Sequence, residues 1–365
     1  MSTTLSHKVF KIIPKIFVPV VTILGTFFLC SIVMWATGID AINAWCVMFK
    51  GAVGSSKGFC TTLVKSTPLM IIGTGMAVAF RCSLFSIGAD GQMYMGGLFA
   101  TIIGTMDLQI PVWLHLTIAL LAGFIAGAIW AIVPGYLKAK HQTNIIITTI
   151  LLNYIALHTI DMMVYGPLRA DKSSSVSLPE SLSVVHRLPS FIPGYRLHVG
   201  FLIAMAMVIL VYILLFKTAI GIEMRFIGPR PEASRTIGVP LMKRVLLAMT
   251  ISGGLAGLAG AIEILAVQYK LRSGFVGNLG YTGIAVALLG GNNPLGVLGG
   301  SLFFGILRNG SSHMQSKAGI PLAITSVVEG VTILFIVIST AVINGNNHIS
   351  RWIRKNQFLV AGGVK

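Results

Sequence analysis

Apolar residues in this chain come in long unbroken runs, punctuated by glycine, proline and charged residues. They neither alternate with period two nor keep to one helical face. Such runs predict helices that are apolar all round, and ten can be drawn: residues 17–37, 60–80, 92–106, 111–134, 144–165, 199–216, 245–268, 279–291, 294–307 and 320–343. Several fall short of the ~20 residues a straight membrane crossing needs. Their glycine-rich ends suggest helices that break inside the membrane. Two polar segments interrupt the pattern. Residues 166–198 are rich in Ser and Pro, the signature of a loop. Residues 217–244 contain the basic stretch GIEMRFIGPRPEASRTIGVPLMKR.

Composition fits this reading. Of 365 residues, 55% are hydrophobic and 10% charged, against about 25% charged in soluble domains. We expect one all-α integral membrane domain over residues 1–365, with an external loop at 166–198 and a cytoplasmic one at 217–244. The net charge of +17 does not point to nucleic acid, because Lys and Arg stand mostly at the ends of apolar runs, where they set topology. Lys8, Lys11 and Lys15 precede the first run. That run is too long for a signal-peptide core and has no clear small-residue cleavage site, so it reads as a first span with a cytoplasmic N-terminus. An even number of spans returns the C-terminus to the same side. Cys30, Cys46, Cys60 and Cys82 form no C-x-x-C pair and read as small apolar fillers.

Two segments resemble each other. Residues 85–96 read FSIGADGQMYMG and residues 275–290 read FVGNLGYTGIAVALLG, each with G-x-x-G before an apolar helix. In the ten-span arrangement the two helices run in opposite directions, as an inverted repeat over spans 2–5 and 7–10 requires. Nucleotide-binding, serine-nucleophile and zinc motifs are missing, and the eight His are scattered. No catalytic residue, metal site or cofactor is expected. A chain of this kind that moves solute must draw on an ion gradient or on a separate ATPase.

The stretch GPRPEASRTIG (228–238) separates these options. Pro231 suits the first turn of a helix, Glu232 complements its positive end, and Gly238 ends it. A short helix over 231–237 should therefore lie on the cytoplasmic face. This stretch resembles the coupling motif of ABC importer permeases of the ribose and branched-chain amino-acid type, roughly N-P-E-A-A-R-x-x-G. The run SGGLAGLAGAIE that follows is similar to that family too. Three further segments are similar to its nucleoside-uptake branch: FSIGADGQMYMG, TNIIITTILLNYIA (143–156) and GYTGIAVALLGGNNPLGVL (280–298). Ser86, Asp90 and Thr282 depart from that branch's Asn, Glu and Asp.

The resemblance implies a permease subunit of a bacterial inner-membrane importer for a nucleoside, a simple sugar or a ribityl-bearing solute such as riboflavin. It implies three partners: a cytoplasmic ABC ATPase, a second permease that is identical or paralogous, and an extracytoplasmic solute-binding lipoprotein. Arg230, Pro231, Glu232, Ala233, Ser234, Arg235 and Gly238 would meet the ATPase. Ser86, Gly88, Asp90, Gln92, Asn153, Gly280 and Thr282 would border the solute path.

Elementary energetics constrain these residues further. An acid at mid-membrane costs ~2.5–3.5 kcal/mol or more unless paired or hydrated. Asp90 therefore either caps a helix at a loop or walls a water-filled path. Asn153 either bonds another helix or lines that path. Glu263 and Glu329 should pair with Arg or backbone, Asn292 and Asn293 with Pro294 should form a turn, and Gly253, Gly254, Gly257 and Gly260 should allow close helix packing. The rival is an ion-coupled secondary transporter, which would need acids within the spans. Only ten acids occur, few within the runs. A channel or scaffold would leave residues 228–238 unexplained.

Overall fold

The computed structural model describes residues 24–168, 181–192, 194–227, 238–320 and 326–338. These residues form twelve α-helices and no strand. They are α1 (Leu24–Ala36), α2 (Ala41–Val53), α3 (Ser56–Arg81), α4 (Ala89–Thr105), α5 (Val112–His141), α6 (Ile145–Tyr165), α7 (Gly200–Lys217), α8 (Ala219–Ile227), α9 (Leu241–Glu263), α10 (Leu279–Leu289), α11 (Pro294–Ala318) and α12 (Ser326–Ile338). A π-helical turn, Ile264–Gln268, extends α9. Most follow the predicted runs. Two do not: α2 and α8 sit outside them. The Asp40 carboxylate accepts from the Ile42 and Asn43 backbone N–H groups and so starts α2. The run at 294–307 continues to Ala318 as α11. Polar residues extend that helix because its neighbours bond them: Asn309 Nδ2 donates to the Gly58 carbonyl at 2.9 Å and to the Thr62 hydroxyl at 3.0 Å, both on α3.

The chain divides into two compact units, Met48–His313 and the two flanking segments Met1–Val47 with Met314–Lys365. In the flanking unit, Trp45 Nε1 donates to the Ser31 hydroxyl at 2.9 Å. The Phe27 and Trp45 rings there meet edge to face at 4.7 Å.

In the larger unit α9 is central and packs on α3, α4 and α5. Close contact demands glycine here. A β-carbon on Gly96 of α4 would collide with the backbone of Gly257 on α9, and one on Gly257 would collide with the Gly123 carbonyl of α5. Three helix backbones thus touch along one seam, which packs by dispersion rather than by exclusion of water. Helix α10 packs on α3 and α4, and α8 on α7 and α9.

Candidate functional site

The sequence repeat corresponds to a repeated local structure. Long helix α3 ends, residues 82–88 run without regular structure, and α4 begins in the interior. Long helix α9 ends in its π-turn, residues 269–278 form turns, and α10 begins in the interior. The N-terminal ends of α4 and α10 then meet. The Asp90 carboxylate, in the first turn of α4, accepts from the Gly280 backbone N–H in the first turn of α10 at 2.7 Å. Each helix N-terminus carries roughly +0.5 of an elementary charge. One carboxylate against two such ends leaves the junction close to neutral, which is how a charged side chain can stay buried there (Asp90 is 7% exposed). Of the two readings the sequence left for Asp90, capping describes this contact, but the helix capped is α10. The residue at the N-cap of its own helix is Gly88.

Asn153 does for α4 what Asp90 does for α10. Its Oδ1 accepts from the Gly91 N–H at 2.9 Å, and its Nδ2 donates to the Ile87 carbonyl at 2.8 Å. Since Asn153 is the ninth residue of the 21-residue α6, the junction lies near mid-span. Ser86 and Gly88 lie at the turn into α4, the Ser86 hydroxyl accepting from the Gly88 N–H at 3.2 Å. The Thr282 hydroxyl turns back onto its own helix, donating to the Asn278 carbonyl at 3.1 Å. Gln92 is buried against the glycine seam beside Gly253, and its Oε1 has no hydrogen-bond partner among the described residues.

The structure thus gathers Gly88, Asp90, Asn153 and Gly280 at one place, with Ser86 one turn away. Thr149 belongs with them: its hydroxyl accepts from the Ile87 N–H at 3.3 Å. Sequence reasoning missed it, although Thr149 and Asn153 stand at i and i+4 on one face of α6, the spacing that brings side chains together.

The segment 269–278 that launches α10 is held from several sides. Arg308 of α11 donates to the Gly277 carbonyl at 3.2 Å, and the Ser273 hydroxyl donates to Asp161 of α6 at 2.5 Å. Gln268 Nε2 donates to Glu263 at 3.1 Å and to the Phe275 carbonyl at 3.0 Å. Glu263, expected to pair with Arg or backbone, instead accepts from the Gln268 side-chain amide. The loop before α7 reaches the same region: Leu182 N–H donates to the Tyr269 carbonyl at 2.8 Å and Leu188 N–H to the Leu265 carbonyl at 3.0 Å. The Arg187 guanidinium lies over the Tyr269 ring.

A second cluster lies where α3 and α7 end, around α8 and the start of α9. Arg81, the last residue of α3, donates to the Asn292 carbonyl at 2.8 Å in the α10–α11 turn, the turn expected of Asn292, Asn293 and Pro294. The Arg81 and Arg225 guanidinium groups both lie over the Phe216 ring. Glu223 of α8 pairs with Arg244 in the first turn of α9. The residues expected to meet an ATPase, Arg230, Pro231, Glu232, Ala233, Ser234 and Arg235, lie outside the described residues, between these two helices. Gly238 is described and has φ of +80°, a left-handed conformation that favours glycine.

Among the described residues, five helices are long and apolar enough to cross a membrane, shorter apolar helices accompany them, and two helices start at a buried polar junction. That combination defines a multi-pass membrane protein of the kind built to move solutes around broken helices. Residues 58–337 match the family described as branched-chain amino acid transport system / permease component, and the chain belongs to that family. It is a permease subunit of an ABC importer. It is 32% identical to the guanosine ABC transporter permease NupP of Bacillus subtilis, with 91% of this chain and 96% of that one covered. It is also 32% identical to the glucose ABC transporter permease TsgB13 of Haloferax volcanii, covering 88% and 87%. Against the nucleoside ABC transporter permease NupB of Lactococcus lactis the identity is 31%, covering 89% and 91%. No solved structure matches the chain.

Proposed function

We propose that this permease moves a nucleoside-like or simple-sugar solute into the bacterial cytoplasm through the inner membrane. A separate ATPase supplies the energy, an external lipoprotein delivers the solute, and a second permease completes the path. The relatives' names support the solute class, since they are named for guanosine, nucleosides and glucose. The whole chain forms one permease domain with both termini in the cytoplasm and an inverted repeat at its centre. Residues 166–198 face outward and meet the lipoprotein, while residues 217–244 face inward.

The observation that carries the coupling role is the bracket around residues 228–237. Helix α8 ends at Ile227 and α9 begins at Leu241, and the Glu223–Arg244 ion pair ties these two helices together. A push on Arg230, Pro231, Glu232, Ala233, Ser234, Arg235 and Gly238 by a closing ATPase passes into α9, the most central helix. From α9 it reaches α4 through the glycine seam and so the Asp90–Gly280 junction. The solute path runs alongside that junction, bordered by Ser86, Gly88, Asp90, Gln92, Asn153, Gly280 and Thr282. Replacing Glu232 and Arg235 together by Ala tests the coupling. We expect the ATPase to stop co-purifying and uptake to be lost. Unchanged uptake that an ionophore abolishes would mean an ion-coupled carrier instead.

A further inference from the structure

Among the five long spans, exposure follows hydropathy with one exception. Helices α5 and α7 are largely exposed, with mean hydropathies of 2.4 and 2.5, while α3 is 83% buried at 1.5. Helix α6 is the least buried of the five at 22%, yet its mean hydropathy is only 1.6. The buried Asn153 and Thr149 account for part of the low value, and a polar stripe toward the end of the helix for the rest. Tyr154 is 60% exposed. The His158 side chain is 73% exposed, with Nδ1 3.6 Å from the Asp161 carboxylate. Tyr154, His158 and Asp161 stand at i, i+4 and i+7, on one stripe of the helix. Beside them are Ser273, bonded to Asp161, and Tyr281, 41% exposed, in the first turn of α10.

Such a face does not suit lipid. An ionisable side chain in hydrocarbon costs ~2.5–3.5 kcal/mol or more, and Tyr154 is the tenth of 21 residues in the span, far from the interfaces where tyrosine is favoured. The large exposed side chains of α7, Leu202, Ile209, Leu210 and Ile213, are aliphatic, and so are Ile147 and Leu151 at the start of the same α6 stripe, so the polar surface is confined to the part of α6 from Tyr154 onward.

We propose that Tyr154, His158, Asp161, Ser273 and Tyr281 form the wall that touches the solute, and that the buried junction around Asp90 stands behind it. This inference rests on the permease reading above. Its chemistry suits a neutral solute with a flat ring and several hydroxyls. The two tyrosines offer faces for the ring, while Asp161, His158 and Ser273 bond the hydroxyls. Because Asn153, which holds the start of α4, immediately precedes Tyr154 in α6, a shift of the junction moves the wall as well.

Single cysteines at 154, 158 and 161 test this in the whole transporter, with Cys30, Cys46, Cys60 and Cys82 replaced by Ser. Ile209→Cys on α7 is the control. A charged methanethiosulfonate needs water and a thiolate to react, so the three wall positions should label roughly tenfold or more faster than the control. Labelling should change when ATP and vanadate trap the transporter, and should slow in millimolar guanosine or glucose, whichever the wild type takes up. Labelling no faster than the control would place the face in lipid or against the second permease, and would overturn the wall. Fast labelling indifferent to both trapping and solute would overturn it too. Wild-type vesicles that take up neither probe, with labelling that still responds to trapping, would refute the solute class alone and leave the wall standing.

Discussion

Helices α7 and α9 are both strongly apolar, yet they behave as opposites. Helix α7 has mean hydropathy 2.5 and is 28% buried, whereas the most apolar stretch of α9 and its π-turn has 1.9 and is 78% buried. In a soluble protein the more apolar helix would be the inner one. In a membrane the outer surface already meets hydrocarbon, so large aliphatic side chains gather there. The inner helix is instead the one whose small residues let backbones approach. Glycine spacing, more than hydropathy, marks the centre of this molecule.

The largest expected effect comes from breaking that centre. Gly257→Val puts a branched side chain where the Gly123 carbonyl and Gly127 backbone already lie. Overpacking usually costs ~1–3 kcal/mol, and more where backbone rather than a side chain has to move. We expect the variant not to survive detergent extraction as a single size-exclusion species, while Leu210→Val on α7 does. A well-behaved Gly257→Val protein would show that the seam does not hold the three helices.

Next in size is the junction. Asp90→Ala leaves the Gly280 N–H buried without its partner, a loss of ~1–3 kcal/mol, and leaves two helix ends without their compensating charge. Asp90→Asn keeps an acceptor oxygen and should melt between the wild type and Asp90→Ala. Asn153→Ala strands the Gly91 N–H and the Ile87 carbonyl but no charge, so it should cost less than Asp90→Ala. Thermal unfolding in detergent gives the order. Asp90→Ala melting with the wild type would mean that the carboxylate does not hold α10.

Both regions were partly legible in the sequence. The apolar runs and the repeat around 85–96 and 275–290 were legible because lipid leaves few ways to satisfy a backbone, and broken helices leave Gly-rich traces. The packing role of Gly253, Gly254, Gly257 and Gly260 was legible for the same reason. That Asp90 caps a helix 190 residues away was not, because capping motifs are local patterns and this one closes across space. Helices α2 and α8 were hidden by their length and mixed polarity, 13 and 9 residues respectively, too short to register as spans. Tyr154, His158 and Asp161 drew no notice because inside a long apolar run they look like tolerated exceptions. Their spacing already puts them on one face of a helix, and only the structure shows that this face of α6 is open.

The smallest expected effect lies at the edge, where the chain enters α7. His198 sits just before Gly200, buried at 2% exposure, and its ring and Ile262 of α9 both border Gly200. Neither ring nitrogen has a partner among the described residues. Burial pushes its pKa down to about 4 from 6.5, so the folded protein holds it neutral across the physiological range. The unfolded chain takes up its proton near the ordinary value, and acid therefore favours the unfolded state. Stability from this residue is complete above about pH 6.5 and is lost as pH falls toward 4. His198→Phe keeps a flat ring and removes the proton. Its melting temperature should change less between pH 7 and pH 5 than that of the wild type, with both proteins held in one detergent. Equal acid sensitivity in the two would mean that His198 is already hydrated in the fold, and that the entry to α7 is as open to water as the rest of that helix is to lipid.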